Sequence, residues 1–289
     1  MLRRHTHHQQ QHTNADLADN ASRQQQLSRL VGVYLENSMS AKEDYELEVR
    51  FGTRGIRGIK PIMRRDHEKV IEKLLSEGYS CTRTGDYHLR IHCAPEPPNP
   101  KVSGVRVEIN GRANIQEYCK TNTLTAGKTV FNRKSGVYVN DVMMPPINFD
   151  DFNFRVSLQK EHRLRNESAE IRALSSDSEW SKMRKTFRYI NRTSFEHPDL
   201  PLRVDLSVIK ESYRKEGSWR MEAEYNFATS KVTESALKYE IEIEVLNSRV
   251  GPGKFINSAP VLAHALRGAI KLVLSGIQGT NFPISYPEM

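Results

Sequence analysis

The chain is poor in cysteine and has no long apolar run. Its three cysteines, Cys81, Cys93 and Cys119, form no CxxC pair, so neither a disulfide framework nor a zinc site is expected. No segment approaches the roughly 18 consecutive apolar residues of a membrane span, and no apolar signal region follows the basic N-terminus. These absences predict reduced cysteines and an intracellular protein that acts away from membranes.

The chain also lacks the common catalytic motifs. It has no GxxxxGKS or GxxxxGKT loop to hold phosphates, no HExxH helix and no GxSxG turn. Residues 53–58 carry two glycines without the spacing of a dinucleotide-binding turn, and we interpret them as a basic loop. Any catalytic chemistry must therefore come from side chains that are spread along the sequence.

The overall charge favours a polyanionic partner. The chain has a net charge of +8 and a pI near 9.3. A basic surface attracts nucleic acid or polyphosphate, although it also serves ordinary solubility. Hydrophobic residues make up 37% and charged residues 27%, which allows either a heavily charged surface or a partly polar interior.

Composition divides the chain into three segments. Residues 1–26 are rich in Gln and His and nearly free of large apolar residues, which predicts a disordered tail rather than a histidine metal site. Residues 27–280 carry periodic apolar patterns and are predicted to form one domain. Residues 281–289 form a short C-terminal tail.

The periodic patterns predict a strand-rich domain with a few helices. Alternation of polar and apolar residues predicts strands at 45–52, 87–92, 102–109, 153–159, 185–192, 202–210, 219–226 and 239–246. The clearest helix spans residues 258–275, where Ser258 can cap the first turn and Pro260 lies inside it. Shorter helices are expected after Asp66, at 114–119 and at 168–180. These patterns therefore indicate a strand-rich fold of the α+β class with a few helices.

Two of these strands carry rows of carboxylates. Side chains alternate between the faces of a strand, so Glu240, Glu242 and Glu244 share one face. Glu46 and Glu48 do the same in an earlier strand. One such strand is most simply a sheet edge with its acids in water. If both rows face one enclosed space, the crowded carboxylates need a cation, and Mg²⁺ or Mn²⁺ fits oxygen ligands.

Other strands carry rows of cations that could bind phosphate oxygens. Each row taken alone is most simply a solvated face, but basic rows opposite acidic rows would bind a metal with polyphosphate. The parity of Lys185 and Arg188 differs, so the strand at 185–192 cannot point both inward. The candidate residues are Arg50, Arg106, Lys120, Arg155, Lys185, Arg188, Arg192, Arg203, Asp205 and Ser207.

Five segments in order resemble the RNA triphosphatase domain of mRNA capping enzymes from large DNA viruses, which belongs to the triphosphate tunnel metalloenzymes. They are YELEVRFG at 45–52, IQEYCKTN at 115–122, FRVSLQKE at 154–161, RVDLS at 203–207 and YEIEIE at 239–244. The resemblance covers roughly residues 40–285 and implies an eight-stranded antiparallel barrel that forms a tunnel, with flanking helices. The C-terminal segment also resembles the junction that precedes a guanylyltransferase domain, but the chain has no KxDG motif.

The resemblance also implies roles for individual residues. Glu46, Glu48, Glu242 and Glu244 would hold Mg²⁺ or Mn²⁺. Arg155, Lys185, Arg188 and Arg203 would bind the phosphates, and Asp205 would orient these bases or a water molecule. Glu240 would lie beside the metal and position the attacking water.

The implied function is a viral RNA 5′-triphosphatase that performs the first step of capping. Its substrate would be 5′-triphosphate RNA, and a guanylyltransferase or methyltransferase of a capping apparatus would be its partner. Its location would be intracellular, in a viral factory or virion, with host cytoplasm and host nucleus both open. Two alternatives remain open, namely a tunnel hydrolase of tripolyphosphate or nucleoside triphosphates, and a non-catalytic RNA-binding subunit of a capping complex.

Overall fold

The structure is a computed structural model. It describes residues 14–40, 44–52, 54–55, 58–59, 61–94, 104–165, 168–175, 177–214, 221–278 and 282. Most of the predicted C-terminal tail and the first part of the predicted N-terminal tail therefore lie outside the described residues.

Strands dominate the described chain. They are β1 (Asp44–Phe51), β2 (Arg54–Gly55), β3 (Gly58–Ile59), β4 (Ser80–Ala94), β5 (Val105–Asn110), β6 (Thr129–Gly136), β7 (Tyr138–Val139), β8 (Val142–Met143), β9 (Ile147–Phe149), β10 (Phe154–Arg163), β11 (Arg184–Glu196), β12 (Leu202–Glu211) and β13 (Lys238–Val245). The α-helices are α1 (Asn14–Ser40), α2 (Arg64–Ser76), α3 (Arg112–Thr121), α4 (Ala169–Ser175), α5 (Asp177–Lys182) and α6 (Ala259–Ile277).

Eight strands close into an antiparallel barrel. Their order is β1-β13-β12-β11-β4-β5-β6-β10, and pairing of β1 with β10 closes the ring. Strand β9 adds to β10, while β2 with β3 and β7 with β8 form separate two-stranded pairs. Closure leaves no unpaired edge in the ring. The predicted eight-stranded antiparallel barrel with flanking helices is confirmed.

The apolar rows of the barrel strands face outward. In β1 and β13, Leu47, Val49, Ile241 and Ile243 are fully buried. The strand pairings place Glu48 beside Glu244, so the carboxylate rows share the other, inner face. Because apolar residues need cover, the hydrophobic cores lie between the outside of the barrel and the helices.

Two cores cover opposite parts of the barrel. The larger one joins α1, α2 and α6 to β1, β10, β12 and β13, and the smaller one joins α3, α4 and α5 to β4, β5 and β11. Helices α2 and α6 approach closely at Gly276, where a Cβ atom would lie 2.7 Å from Val70 Cγ2. Among the described helices, α6 alone has the length and apolarity of a membrane span, but half of it is buried in this core.

The N-terminal helix begins earlier than the composition predicts. Helix α1 starts at Asn14, before the domain boundary expected at residue 27. Gln24 is buried, and its side-chain oxygen accepts a hydrogen bond from Arg267 Nε at 3.0 Å. A polar side chain anchors this part of the helix to α6, which hydrophobic periodicity cannot reveal.

Several other elements differ from the predicted ones. Strand β6 was not predicted, and the helix expected at 168–180 is divided into α4 and α5. Of the strand predicted at 219–226, residues 219 and 220 lie outside the described chain. The described remainder forms only isolated pairings, Met221 with Arg214 and Glu224 with Lys185. Alternation of polar and apolar residues therefore does not by itself produce a continuous strand here.

Candidate active site

The inner face of the barrel carries two rows of acids on neighbouring strands. Glu48 of β1 lies opposite Glu244 of β13, and Arg50 lies opposite Glu242. Glu46 precedes Glu48 on the same face of β1, and Glu240 lies opposite Ser207 of β12. The fold thus brings together all five predicted glutamates.

Glu48 and Glu244 are poorly compensated by cations. Burial first, and then the charge of Glu242, raise the pKa of Glu48 to about 7 against the opposing charge of Arg50. Burial likewise raises the pKa of Glu244 to about 7, although Arg203 lowers it. Two neighbouring acids that resist ionisation form a place where an additional cation would be stabilised.

Glu242 differs because it is held between arginines. Arg50 Nη2 lies 2.5 Å from Glu242 Oε1, and Arg192 Nη2 lies 3.2 Å from Oε2. Burial alone would raise the pKa of Glu242, but Arg50 and Arg192 hold it well below its usual range. Arg50 also contacts Glu48 at 3.1 Å.

Lys134 of β6 is a further cation of the acidic wall. It donates a hydrogen bond to Glu46, and its Nζ lies 3.8 Å from Glu48 Oε2. The sequence did not predict this residue because β6 lacks a regular alternation. Among the described residues, no three carboxylate, imidazole or thiol groups converge closely enough to hold a metal ion. The carboxylates of the acidic wall instead form ion pairs with lysine and arginine side chains.

Asp205 organises the neighbouring basic wall. It is only 1% exposed and accepts hydrogen bonds from Ser194 Oγ at 2.7 Å and Arg203 Nε at 2.9 Å. Arg192 Nη1 lies 3.2 Å from its other oxygen. Arg203 also donates to Glu244 Oε2 at 2.5 Å. Asp205 therefore orients two arginines, which fits the role predicted for it.

Ser207 and Glu240 extend this wall. The hydroxyl of Ser207 is buried and accepts a hydrogen bond from Arg192 Nε at 3.3 Å. Glu240 accepts one from Arg188 Nη2 at 2.8 Å. Each group is therefore already oriented by an arginine.

Four bases crowd the side of the barrel formed by β4, β5 and β11. Arg188 Nε lies 3.3 Å from Glu211, and Arg106 donates to Glu161. His92 keeps contact with solvent. Its pKa is lowered to about 4 by surrounding protein and then by the charges of Arg106, Arg188 and Arg90. The low pKa of His92 reflects burial first and the neighbouring arginines second, and both keep its imidazole neutral beside these cations.

Arg155 lies on the inner face of β10, where its register partner on β1 is Arg50. It forms no ion pair within the described part of the chain. Its Nε atom is buried and has no hydrogen-bond partner there. A buried guanidinium donor without an acceptor is costly, so this position would be stabilised by an incoming anion.

Two predicted phosphate-binding residues lie outside the barrel interior. Lys185 is fully buried on the outer face of β11, where its Nζ donates to the carbonyl oxygens of Trp180 at 2.7 Å and Met183 at 2.8 Å. Strand alternation turns it away because Arg188 faces inward. Lys120 lies exposed on α3, which packs by Ile115 against the outer core. Both assignments to the site were wrong.

Sequence reasoning also missed Arg90 and His92. Both lie in the predicted strand at 87–92, and Arg188 lies opposite Arg90 in the barrel. The same alternation that selected the glutamates would have placed Arg90 and His92 on one face. Their relation to the acidic rows depends on strand order, which the sequence does not contain.

Comparison with known proteins gives only distant matches. No family model and no curated protein matches the chain. Solved structures with a similar fold include the Schizosaccharomyces pombe Pct1 RNA triphosphatase, with 12% identity, a TM-score of 0.42, and coverage of 88% of this chain and 89% of that one. The same protein in complex with the Spt5 CTD gives 13% identity, a TM-score of 0.42, and coverage of 88% and 91%. A chain of the S. pombe Mediator head module gives 12% identity, a TM-score of 0.38, and coverage of 82% and 97%.

Proposed function

We propose that this protein is a metal-dependent hydrolase that removes the γ-phosphate from 5′-triphosphate RNA, the first step of cap formation. The observation that carries the proposal is the lining of the closed barrel. Acids of β1 and β13 lie beside arginines of β10, β11 and β12 within one enclosed space. Such a lining binds a cation and a polyphosphate together.

The arginines supply the phosphate contacts. Guanidinium groups bind phosphate oxygens through charge-assisted, often paired hydrogen bonds. Arg155 has a donor without a partner among the described residues, while Arg188 and Arg203 now bind carboxylates and can exchange these partners for phosphate oxygens. Asp205 keeps Arg203 and Arg192 aligned during that exchange.

The acidic wall fits a hard divalent cation in the type of its donors. Glu46, Glu48 and Glu244 offer carboxylate oxygens, and the raised pKa of Glu48 and Glu244 reflects burial and neighbouring acids that Arg50, Lys134 and Arg203 do not fully offset. Mg²⁺ or Mn²⁺ would be held here, with Lys134 and Arg203 releasing their carboxylates. Glu242, the fourth predicted ligand, is the least suited because two arginines already neutralise it. When bound, the ion would polarise the phosphoryl group and neutralise developing charge.

Hydrolysis needs a water molecule aligned with the bond that breaks. We assign its positioning to Glu240, whose carboxylate is itself oriented by Arg188. The water oxygen bonds to the γ-phosphorus while the bond to the β-phosphate oxygen breaks. The products are inorganic phosphate and RNA with a 5′-diphosphate, which is the substrate type that a guanylyltransferase of a capping apparatus would consume.

The basic balance of the chain favours RNA over a small triphosphate. A net charge of +8 attracts a long polyanion more strongly than a short one. The barrel lining by itself contacts phosphates and would accept tripolyphosphate or ATP as well, so substrate choice needs a direct measurement.

The test is phosphate release from γ-labelled triphosphate RNA, tripolyphosphate and ATP, with and without Mg²⁺ or Mn²⁺. We expect metal-dependent release from RNA, and its loss by orders of magnitude in Glu48→Gln and Glu244→Gln. The exposed Glu117→Gln is the matched control, and it should retain full activity. Release from the small substrates alone would assign a tunnel hydrolase of those compounds. RNA binding without release from any substrate would leave a non-catalytic subunit.

A further inference from the structure

A basic groove of about 850 Å³ lies on the barrel wall where β6 and β10 pair. It is separate from the row of inward-facing acids on β1 and β13. Arginine, histidine and serine side chains dominate its lining. The lining residues are Arg133, Ser135, His162, Arg163, Leu164, Arg165 and Ser168.

Most of the positive charge in this groove is not neutralised by the described residues. Arg133 Nη1 lies 3.3 Å from Glu170 Oε1, so this arginine is already paired with a carboxylate. Arg163 and Arg165 are exposed, and neither side chain forms an ion pair within the described chain. These two guanidinium groups, without an ion partner among the described residues, lie beside serine hydroxyls and form a surface that suits phosphate oxygens.

The groove includes the last residue of the inward-facing row of β10. Arg163 lies in the inward-facing row of β10, directly after Glu161, and pairs in register with Asn132 of β6. Glu161 accepts a hydrogen bond from Arg106 of the basic wall. His162 and Arg133 belong to the outward rows of the same strands. The lining therefore passes from the inner to the outer face where β10 ends.

We propose that this groove binds the phosphodiester backbone of single-stranded RNA whose 5′ end enters the barrel. The proposal rests on the proposed RNA triphosphatase function and assigns the path of the nucleotides behind the triphosphate. Free arginines and hydroxyls contact phosphates without reading bases, so binding should be independent of sequence. An RNA-specific contact outside the barrel would distinguish RNA from tripolyphosphate, which the barrel lining alone does not do.

The first experiment measures RNA binding without catalysis. Fluorescence anisotropy of a 5′-hydroxyl single-stranded RNA compares the native chain with the double variant R163A/R165A over a range of salt concentrations. Loss of two phosphate contacts should reduce affinity about tenfold at low salt and reduce the salt slope by about 1.4. The matched control is R64A/R65A, which removes two exposed arginines of α2. It should retain both native values.

The second experiment compares substrates of different length. R163A/R165A should raise KM for triphosphate RNA about tenfold and leave kcat unchanged, while tripolyphosphate hydrolysis keeps both native constants. Native RNA binding in R163A/R165A, or an equal loss with tripolyphosphate, would overturn the groove assignment. If the chain releases no phosphate from any substrate, the proposed activity fails while the binding measurement still decides the groove.

Discussion

An arginine that projects into the barrel without a counterion is stabilised when it binds an anion. Arg155 is such a residue, since its buried Nε has no acceptor among the described residues and its register partner is Arg50. Arg203 and Arg192, by contrast, are fixed by Asp205. At the scale of single residues, the site thus separates one arginine available to ligand from arginines that also hold the structure together.

Replacing Arg155 should impair function and spare the fold. We expect R155A to lower kcat/KM for triphosphate RNA about 100-fold, because a preorganised donor to the phosphates is lost. Its free energy of unfolding should change by less than about 1 kcal/mol, since no described partner is left unpaired. R155K should recover part of the activity. Kinetics and urea unfolding check both points, with the exposed R29A as control, and native kcat/KM in R155A would contradict the assignment.

Replacing Asp205, in contrast, should destabilise the fold. D205N removes the negative charge between Arg203 and Arg192, leaving Arg203 with Glu244 and Arg192 with Glu242 as their described carboxylate partners. We expect the free energy of unfolding to fall by roughly 3–5 kcal/mol, as is typical when one partner of a buried ion pair is lost. Urea unfolding measures this, and D199N at a site 78% exposed provides the control. A loss below about 1 kcal/mol would show that Asp205 does not organise the arginines.

Elements whose two faces differ strongly were predictable from the sequence. In β1 and β13, glutamates alternate strictly with buried apolar residues, because one face lines the barrel and the other packs under helices. Strand β6 gives no such signal, since Val130 faces inward while Arg133 and Ser135 of the outer row line the basic groove. Lys134 was missed with it. Strand order and closure, which bring Lys134 to Glu46, arise from pairings distant in sequence.

Lys185 shows that residue type can also mislead a site prediction within one strand. A basic residue next to an inward arginine has the right chemistry for phosphate, but its position in β11 turns it into the outer core. There it fastens the end of α5 to the strand by two carbonyl contacts, and its Nζ lies 4.7 Å from the centre of the Trp180 ring. Its role is therefore to join two elements.

Replacing Lys185 should affect stability and leave catalysis unchanged. We expect K185M to lower the free energy of unfolding by about 1–3 kcal/mol at pH 7, because two carbonyl groups lose their donor, and to retain native kcat. Burial lowers the pKa of Lys185 to about 8, so the unfolded chain binds the extra proton between pH 8 and about 10.4. The native chain should therefore gain stability relative to K185M as pH rises through this window. Urea unfolding from pH 7 to 10 measures the difference, and a constant difference or a large loss of kcat would contradict this role.

The whole molecule carries its hydrophobic cores outside the barrel and its charged residues inside, whereas many small barrels are filled by packed side chains. Helices cover the outer surface of the barrel with two hydrophobic cores, and the interior is filled by paired charges. Folding stability therefore comes mainly from outside the ring, where apolar area is buried. The interior can hold acids of raised pKa at a tolerable cost because these cores compensate for it. Because of this separation, the charged side chains inside the barrel can bind a ligand without disrupting the apolar packing outside it.

A divalent cation should consequently stabilise the entire fold. An ion that binds only the native chain adds about 2.7 kcal/mol at a concentration 100 times its Kd, and we expect Mn²⁺ to raise the thermal midpoint by roughly 5–10 °C. The shift should disappear in E48Q/E244Q and on adding a chelator, but persist in the exposed-site control E117Q. E242Q should retain more of it than E48Q/E244Q, because Arg50 and Arg192 already neutralise Glu242. An equal Mn²⁺ shift in E48Q/E244Q would place the ion outside the acidic wall, and no shift in the native chain would argue against a resident metal.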